Sequence, residues 1–357
     1  MFNILDRYII RKFLGTYIFA LALIMAITVM FDINEKLDAF QKAPLRETIF
    51  DYFVNFIPYF ANQFSPLFVF IAVIFFTSKL ASNSEIIAML SSGLSYRRLM
   101  FPYLVSAAII AGATFYLSAY VIPPANVKRI AFTNQYVKDK SVSATSNAQI
   151  RIANDKVAYL GDFNTIANRG SRFSLDKFEG RSLKSRLTAS SAEWRGGYSW
   201  RLRNYVIRDF GPKREIIRSG VQLDTVIPIE PNDIVISRTE RETMTTPVLR
   251  EYIDRQISRG VGNMKEFEIE YYRRYASCAA AFILTIIGVS LSSRKVKGGM
   301  GLNIGIGLAL SFTYIMFMTL TQTFAINGMT SPALAMWIPN IVYSIIAIIL
   351  YRRAAKF

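Results

Sequence analysis

Residues 298–351 read GGMGLNIGIGLALSFTYIMFMTLTQTFAINGMTSPALAMWIPNIVYSIIAIILY, 54 positions without one Asp, Glu, Lys or Arg. As a single helix this stretch would be roughly 80 Å long, against about 30 Å for the hydrocarbon core of a bilayer. It therefore has to fold back once. Asn327-Gly328-Met329-Thr330-Ser331-Pro332 supplies the turn residues.

Four further stretches lack charge: Phe13–Phe31, Tyr52–Ser78, Leu99–Val127 and Ala276–Ser293, of 19, 27, 29 and 18 residues. Charge-free runs of about 10–14 residues fit buried helices of soluble proteins, but these are too long for that. The reading is six spans, at 13–34, 52–78, 99–122, 276–293, 301–326 and 333–351. The fourth span continues from a charged, helical approach, Met264–Arg274. Pro58 and Pro66 are expected to kink the second.

The remaining composition excludes several activities. The chain has 357 residues, a formal charge of +17, no histidine and one cysteine. A chain 52% hydrophobic is not a disordered basic tail. A disulfide framework needs more than Cys278, which is expected to be a packing residue. A Ser-His-Asp triad or a His-ligated zinc site has no ligand to draw on. No metal site, catalytic residue or nucleic-acid interface is expected. The basic residues are explained by membrane orientation: the N-terminus, residues 79–98, 294–297 and the C-terminus hold 12 basic residues against two acids. The opposite short loop, 32–51, holds three against five. Both termini are thus expected on the cytoplasmic side. No small-residue cleavage site follows the first span, which reads as a retained signal anchor.

Between spans three and four lies a long external segment, whose net charge does not bear on topology. Its pattern is strand. Gln149-Ile150-Arg151-Ile152 and Lys156–Leu160 alternate. Trp194–Trp200 reads as a hairpin about Gly196-Gly197, with Trp200 and Leu202 on one face and Arg201 and Arg203 on the other. Val221–Ile229 and Ile234–Ser237 are further strands, and a helix is expected to start at Thr245-Thr246-Pro247. The fold class is therefore an α-helical membrane protein with six transmembrane helices, plus an all-β, jellyroll-like domain inserted between helices 3 and 4. The divisions are 1–122, 123–262 and 263–357. Such a domain suits an acyl chain in its interior or a docked partner equally well.

Intramembrane charges mark ion and proton pathways, and the span centres carry none. No GxxxxGK[ST] loop is present, so an active transporter of this design needs energy from another chain. Residues 82–93 read as a short helix on the cytoplasmic side. Ser82 and Glu85 fit a capping box, Gly93 fits the C-terminal stop, and Ile86, Met89 and Leu90 share a face. Such a helix either lies against lipid or couples to an ATPase. Gly301 and Gly305 form a GxxxG pair in span five, suited to static packing or to a face that slides.

Five pieces in order carry a family resemblance. They are Leu5-Asp6-Arg7-Tyr8-Ile9, Ser84–Ser95 (SEIIAMLSSGLS), Met244–Ile253 (MTTPVLREYI), Tyr272–Ala276 running on to Ile286–Arg294 (IIGVSLSSR), and Lys297–Gly301. Together they resemble the lipopolysaccharide export permeases LptF/LptG (YjgP/YjgQ), and the opening is more like the G member. The resemblance implies a multi-pass protein of the bacterial inner membrane with its inserted domain in the periplasm. It implies a half-transporter that pairs with a second LptF/LptG-type subunit and with an LptB-like ATPase dimer, which holds the ATP and Mg; this chain binds no cofactor. The pair would extract lipopolysaccharide and pass it to LptC- and LptA-like periplasmic proteins. It further implies that Glu85 contacts the ATPase, with Ile86, Met89, Leu90 and Gly93 in the same coupling element. Spans one and five would form a lateral gate, with Gly301 and Gly305 on it. Lys36, Lys42, Arg46, Arg273 and Arg274 are the candidates for lipid A phosphates, although Asp32, Glu35 and Asp38 around Lys36 depart from the family pattern. A permease for another lipid, or a non-transporting membrane-anchored partner-binding protein, is the alternative.

Overall fold

The structure, a computed structural model, describes residues 3–137, 144–153, 155–164, 167–180, 182–211, 214–229, 231, 240–258, 264–294 and 299–356. The chain forms two compact units. One comprises Met1–Val137, Glu242–Thr246 and Lys265–Phe357; the other comprises Lys138–Arg241 and Pro247–Met264.

The first unit is helical. Its elements are α1 (Ile4–Glu35), α2 (Leu37–Lys42), α3 (Leu45–Glu47), α4 (Val54–Gln63), α5 (Ser65–Ser82), α6 (Glu85–Ser91), α7 (Tyr96–Tyr116) and α8 (Ile122–Phe132). The chain returns to this unit, after α9 (Thr246–Ser258, in the second unit from Pro247 on), with α10 (Lys265–Ser292), α11 (Gly299–Ile326) and α12 (Pro332–Ala355). Six helical stretches are long and apolar enough to cross a membrane: Ile4–Glu35, Ser65–Ser82, Tyr96–Val137, Lys265–Ser292, Gly301–Ile326 and Pro332–Ala355. The expected six spans are all present.

Their bounds differ from the charge pattern in two places. The second expected span is two helices, because the chain breaks at Phe64 (φ −99°, ψ 8°). Pro66 then starts α5 in its first turn, where its missing N–H costs nothing, rather than kinking a longer helix. The third span runs on to Val137 through π-helical turns at Leu117–Val121 and Thr133–Val137. Charge marks where apolar solvent ends, and a helix can continue beyond that point. The reversal between α11 and α12 falls where the sequence places it: Gly328 has φ +82°, Ser331 caps α12 by accepting from Leu334 N, and Pro332 opens the helix.

The helical core centres on α5, which is buried nearly all round. Phe68, Val69, Phe70, Ala72, Val73 and Ile74 are all at most 2% exposed. Around it pack α1, α10 and α11, and Tyr103 of α7 reaches Phe76 and Thr77. Gly288 of α10 lets that helix close on α5, since a Cβ there would fall 2.2 Å from Val73 Cγ1. Buried polar groups pair across helices, as hydrocarbon requires. Tyr17, Ser65 and Thr114 link α1, α5 and α7 (2.9 and 3.2 Å). Asn340 accepts from Tyr314 and donates to the Ala276 carbonyl, both at 2.9 Å, tying α12 to α11 and α10.

The second unit holds a six-stranded antiparallel sheet, β1 (Ala144–Ala153), β2 (Lys156–Asn164), β3 (Arg169–Glu179), β4 (Ser182–Gly196), β5 (Ser199–Phe210) and β6 (Glu215–Val226). The strand order is sequential, so every neighbour is joined by a hairpin. The strand-rich insert between helices 3 and 4 is as expected; the crossing connections of a jelly roll are not among the described strands. One face carries Phe163, Ala192, Trp200 and Leu202, all at most 2% exposed. Arg201 and Arg203 point the other way, as alternation demands. The β4–β5 turn is shifted by one residue: Trp194 pairs with Trp200 and Gly196 with Ser199, leaving Gly197-Tyr198 as the loop. Both glycines have positive φ, 119° and 54°. The expected strand Ile234–Ser237 lies outside the described residues, as do 295–297 of the 294–297 loop.

Candidate functional site

The end of the helical unit that carries both chain termini also carries α6. Only Asn83 and Ser84 separate α5 from α6, and the chain turns there with Ser84 at φ +61°. This shortens the expected helix 82–93 to 85–91 and removes the capping box. Ser82 is the last residue of α5, and Ser84, the N-cap, makes no side-chain cap hydrogen bond. The Glu85 carboxylate instead accepts from Tyr8 OH and Asn83 Nδ2, each at 3.2 Å. Gly93 does what the sequence predicts. It has φ +90°, its N–H donates to Leu90 O and that of Leu94 donates to Met89 O. That is a Schellman stop.

The apolar face of α6 turns inward. Ile86 is 1% exposed and belongs to the helical core, with Met89 and Leu90 packed half-buried against it. What α6 displays is Glu85, half-buried at its first turn, together with exposed Ile87, Ala88 and Ser91. The helix is thus rooted in the spans by one face and free on the other.

Neighbouring contacts at this end were not legible from motif reading. Arg98, in the first turn of α7, donates to Asp6 Oδ2 at 2.6 Å, and Asp6 is only 2% exposed. Asp6 Oδ2 also accepts from Asn3 N at 2.9 Å, capping α1. The sequence shows Asp6 only as one acid among basic residues.

Span five separates its glycines. A Cβ on Gly307 would fall 2.1 Å from Ile74 Cδ1, so this glycine holds α11 against α5. Gly301 and Gly305 are exposed, and a Cβ on either would meet nothing within 4 Å. The GxxxG face of α11 therefore packs against no other described part of this chain. With α1, α11 is the least covered of the spans; Leu302, Leu308, Phe312 and Met316 are all exposed along it.

The basic candidates fall into two groups. Lys36 is committed: it ion-pairs with Asp32 one turn earlier, donates to Tyr52 OH at 2.6 Å, and lies over the Tyr52 and Phe56 rings. Arg274 is 4% exposed and donates to Glu270 Oε1 (3.2 Å), Thr246 Oγ1 (2.9 Å) and the Met244 carbonyl (3.0 Å). Arg273 donates to the other Glu270 oxygen at 2.6 Å. Lys42 and Arg46 are exposed, and neither has an ion pair among the described residues. Arg46 borders an open pocket with Lys128, Glu47 and Asp51.

A third basic residue, Arg129 of α8, joins the Arg273–Glu270–Arg274 group. It pairs with Glu242 at 3.2 Å and lies 4.3 Å above the Tyr59 ring. Asn126, fully buried, donates to the Glu242 carbonyl. Asn126, Glu242 and the Arg273–Glu270–Arg274 group line a small polar cavity of about 50 Å³ with Asn62 and Gln63. The i,i+4 spacings of Asp32–Lys36 and Glu270–Arg274 were the available sequence signal for these pairs. Glu242 gave none, because its partner is 113 positions away.

No curated protein matches the chain. A protein-family model, described as lipopolysaccharide export system permease LptF/LptG, matches residues 7–353, and the chain belongs to that family.

Proposed function

We propose that this member of the LptF/LptG family is one permease subunit of an ATP-driven lipopolysaccharide exporter in the bacterial inner membrane. A separate LptB-like ATPase dimer docks on α6 from the cytoplasm and binds the ATP and Mg. A second LptF/LptG-type subunit completes the path, and LptC- and LptA-like proteins receive the lipid in the periplasm. The observation that supports this most directly is the construction of α6. A short helix between two spans, stopped firmly at Gly93 and rooted through Ile86, gives a partner a rigid handle. Glu85 and Ile87 are what it presents.

Work from the ATPase enters by differential binding. Nucleotide favours one arrangement of the two permease subunits, and the lipid favours the other. The open glycine face of α11 and the sparsely covered α1 suit a gate lined by both subunits. Lys42 and Arg46 are the basic groups free to meet lipid A phosphates. Lys36, Arg273 and Arg274 would first have to leave their carboxylate partners.

The test is affinity purification from detergent of the wild-type chain and of Glu85→Ala. Wild type is expected to bring down an ATPase subunit, and the variant to bring down much less and to transport poorly. Normal ATPase recovery with normal lipopolysaccharide delivery in Glu85→Ala would remove the coupling role. Recovery of envelope proteins alone with wild type would remove the transporter reading.

A further inference from the structure

We infer that Asp6 and Tyr8 are positioning residues that fasten α1 to the coupling element, so that a push on α6 moves α1 as a lever. This rests on the reading of α6 as the ATPase handle. It adds what the handle is attached to.

Two polar contacts make the attachment, and they lie two residues apart on α1. Tyr8 OH donates to Glu85 Oε2 at 3.2 Å, at the first turn of α6. Arg98 Nη2 donates to Asp6 Oδ2 at 2.6 Å, from the first turn of α7. The turn between α6 and α7 is thus gripped on both sides by one turn of α1. Neither contact follows from local sequence: they span 77 and 92 positions. The Asp6 carboxylate is nearly fully buried, while the Arg98 side chain reaches it from solvent with 34% of its surface exposed.

The rest of α1 is built to follow. It is one unbroken 32-residue helix, Ile4–Glu35, without proline. Such a helix is about 48 Å long and moves as a stiff rod. Its buried residues are concentrated at the gripped end: Asp6, Ile9 and Phe13. Beyond Phe13 only Met25 and Asp32 are buried, whereas Ile18, Phe19, Leu23, Ile27, Met30 and Phe31 are exposed. A rod held tightly at one end and loosely along its length turns a small displacement at the grip into a larger one at the far end. The Asp32–Lys36–Tyr52 cluster stands at that far end.

The inference is tested in two arms on the full-length protein. In the first, Cys278→Ser removes the one native cysteine, and spin labels at Ser91 and Thr16 report the α6–α1 distance in nanodiscs. Asp6→Asn and Tyr8→Phe are expected to broaden that distribution; an unchanged distribution overturns the attachment, whether or not an ATPase binds. In the second, the chain is reconstituted with its partner subunits, and lipopolysaccharide delivered per ATP hydrolysed is measured. Tyr8→Phe is expected to lower that ratio about tenfold, the scale of a coupling free energy between sites, with ATPase recovery unchanged. The charge exchange Asp6→Arg with Arg98→Asp is expected to recover part of what each single change loses, since an arginine at position 6 restores the ion pair but cannot accept from Asn3 N. A ratio equal to wild type, or no recovery on exchange, overturns the inference. Failure of the wild-type chain to recruit an ATPase would instead overturn the proposed function, and the label distances would still decide whether α1 and α6 move together.

Discussion

Arg274 and Thr246 are 28 positions apart in the chain, yet the guanidinium donates to the threonine hydroxyl at 2.9 Å. The same guanidinium reaches the Met244 carbonyl and Glu270. A residue that resemblance offers as a hand for phosphate holds residues 244–246, where the chain enters α9.

Arg274→Ala is therefore expected to destabilise the chain rather than merely weaken lipid binding. Removing one member of a buried pair costs about 3–5 kcal/mol, and the lower end applies because Arg273 still faces Glu270. Arg274→Lys is expected to recover only part, since one ammonium cannot serve three acceptors in a fork. Thermal unfolding in detergent measures both. A wild-type melting temperature for Arg274→Ala would contradict that role.

The glycines of the fourth and fifth spans should divide sharply. Gly288→Ala places a methyl against the stiff Val73 side chain and is expected to cost about 1–3 kcal/mol, the usual penalty of overpacking. Gly307→Ala meets only the flexible tip of Ile74 and should cost less. Gly301→Leu and Gly305→Leu meet open space, so folding and yield should be unchanged. If that face lines the proposed gate, their effect appears in lipid delivery alone.

Lys42→Ala and Arg46→Ala are expected to lower affinity for lipopolysaccharide without changing thermal stability, because neither side chain holds the fold. Lys36→Ala should do the reverse. It strips the ammonium from Asp32, from Tyr52 OH and from two aromatic faces, each cation–π contact being worth about 0.5–2 kcal/mol. Lipid binding and unfolding measured side by side on the three variants check the division.

The sheet unit should respond to pH in two opposite ways. The Ser185 hydroxyl and Arg218 hold Asp209 below the usual carboxylate range, and Arg201 does the same for Asp224. Their stabilisation is present above the ordinary carboxylate value of about 3.9 and is lost as pH falls through the lowered values. Burial pushes Glu240 up to about 6, so its contribution is present below 4.5 and lost as pH rises through about 6. With Trp337→Phe, the remaining tryptophans, Trp194 and Trp200, report unfolding of the sheet. Stability should peak near pH 4–5, and Glu240→Gln should flatten only the upper limb.

Much of the architecture is legible because a membrane punishes mistakes in one direction. A charge in hydrocarbon costs several kcal/mol, so charge-free runs mark the spans regardless of what they pack against. Strand alternation is equally local, the β4–β5 turn falls within one residue of where Gly196-Gly197 places it, and Trp200 and Leu202 face the interior as the pattern requires. The stop at Gly93 follows from one residue's freedom to adopt positive φ.

The site is less legible because its meaning lies in pairings across the chain. An S-x-x-E spacing suggests that Glu85 caps its own helix. The carboxylate turns instead to Tyr8 and Asn83, since two residues are too few for both a turn and a free cap. Three glycines in span five look alike in sequence, and only the position of Ile74 shows that Gly307 is the packing one. Hydropathy, spacing and turn chemistry are properties of a segment, so the sequence alone determined six spans, an inserted sheet and the stop at Gly93 that ends α6. Whether a charged or small residue is spent on the fold or left free depends on neighbours 28 to 233 positions away, from Arg274–Thr246 to Gly307–Ile74. Only tertiary packing brings those neighbours within reach, and it alone decided that Arg274 is a clamp, Lys42 and Arg46 are open, and α1 is tied to α6.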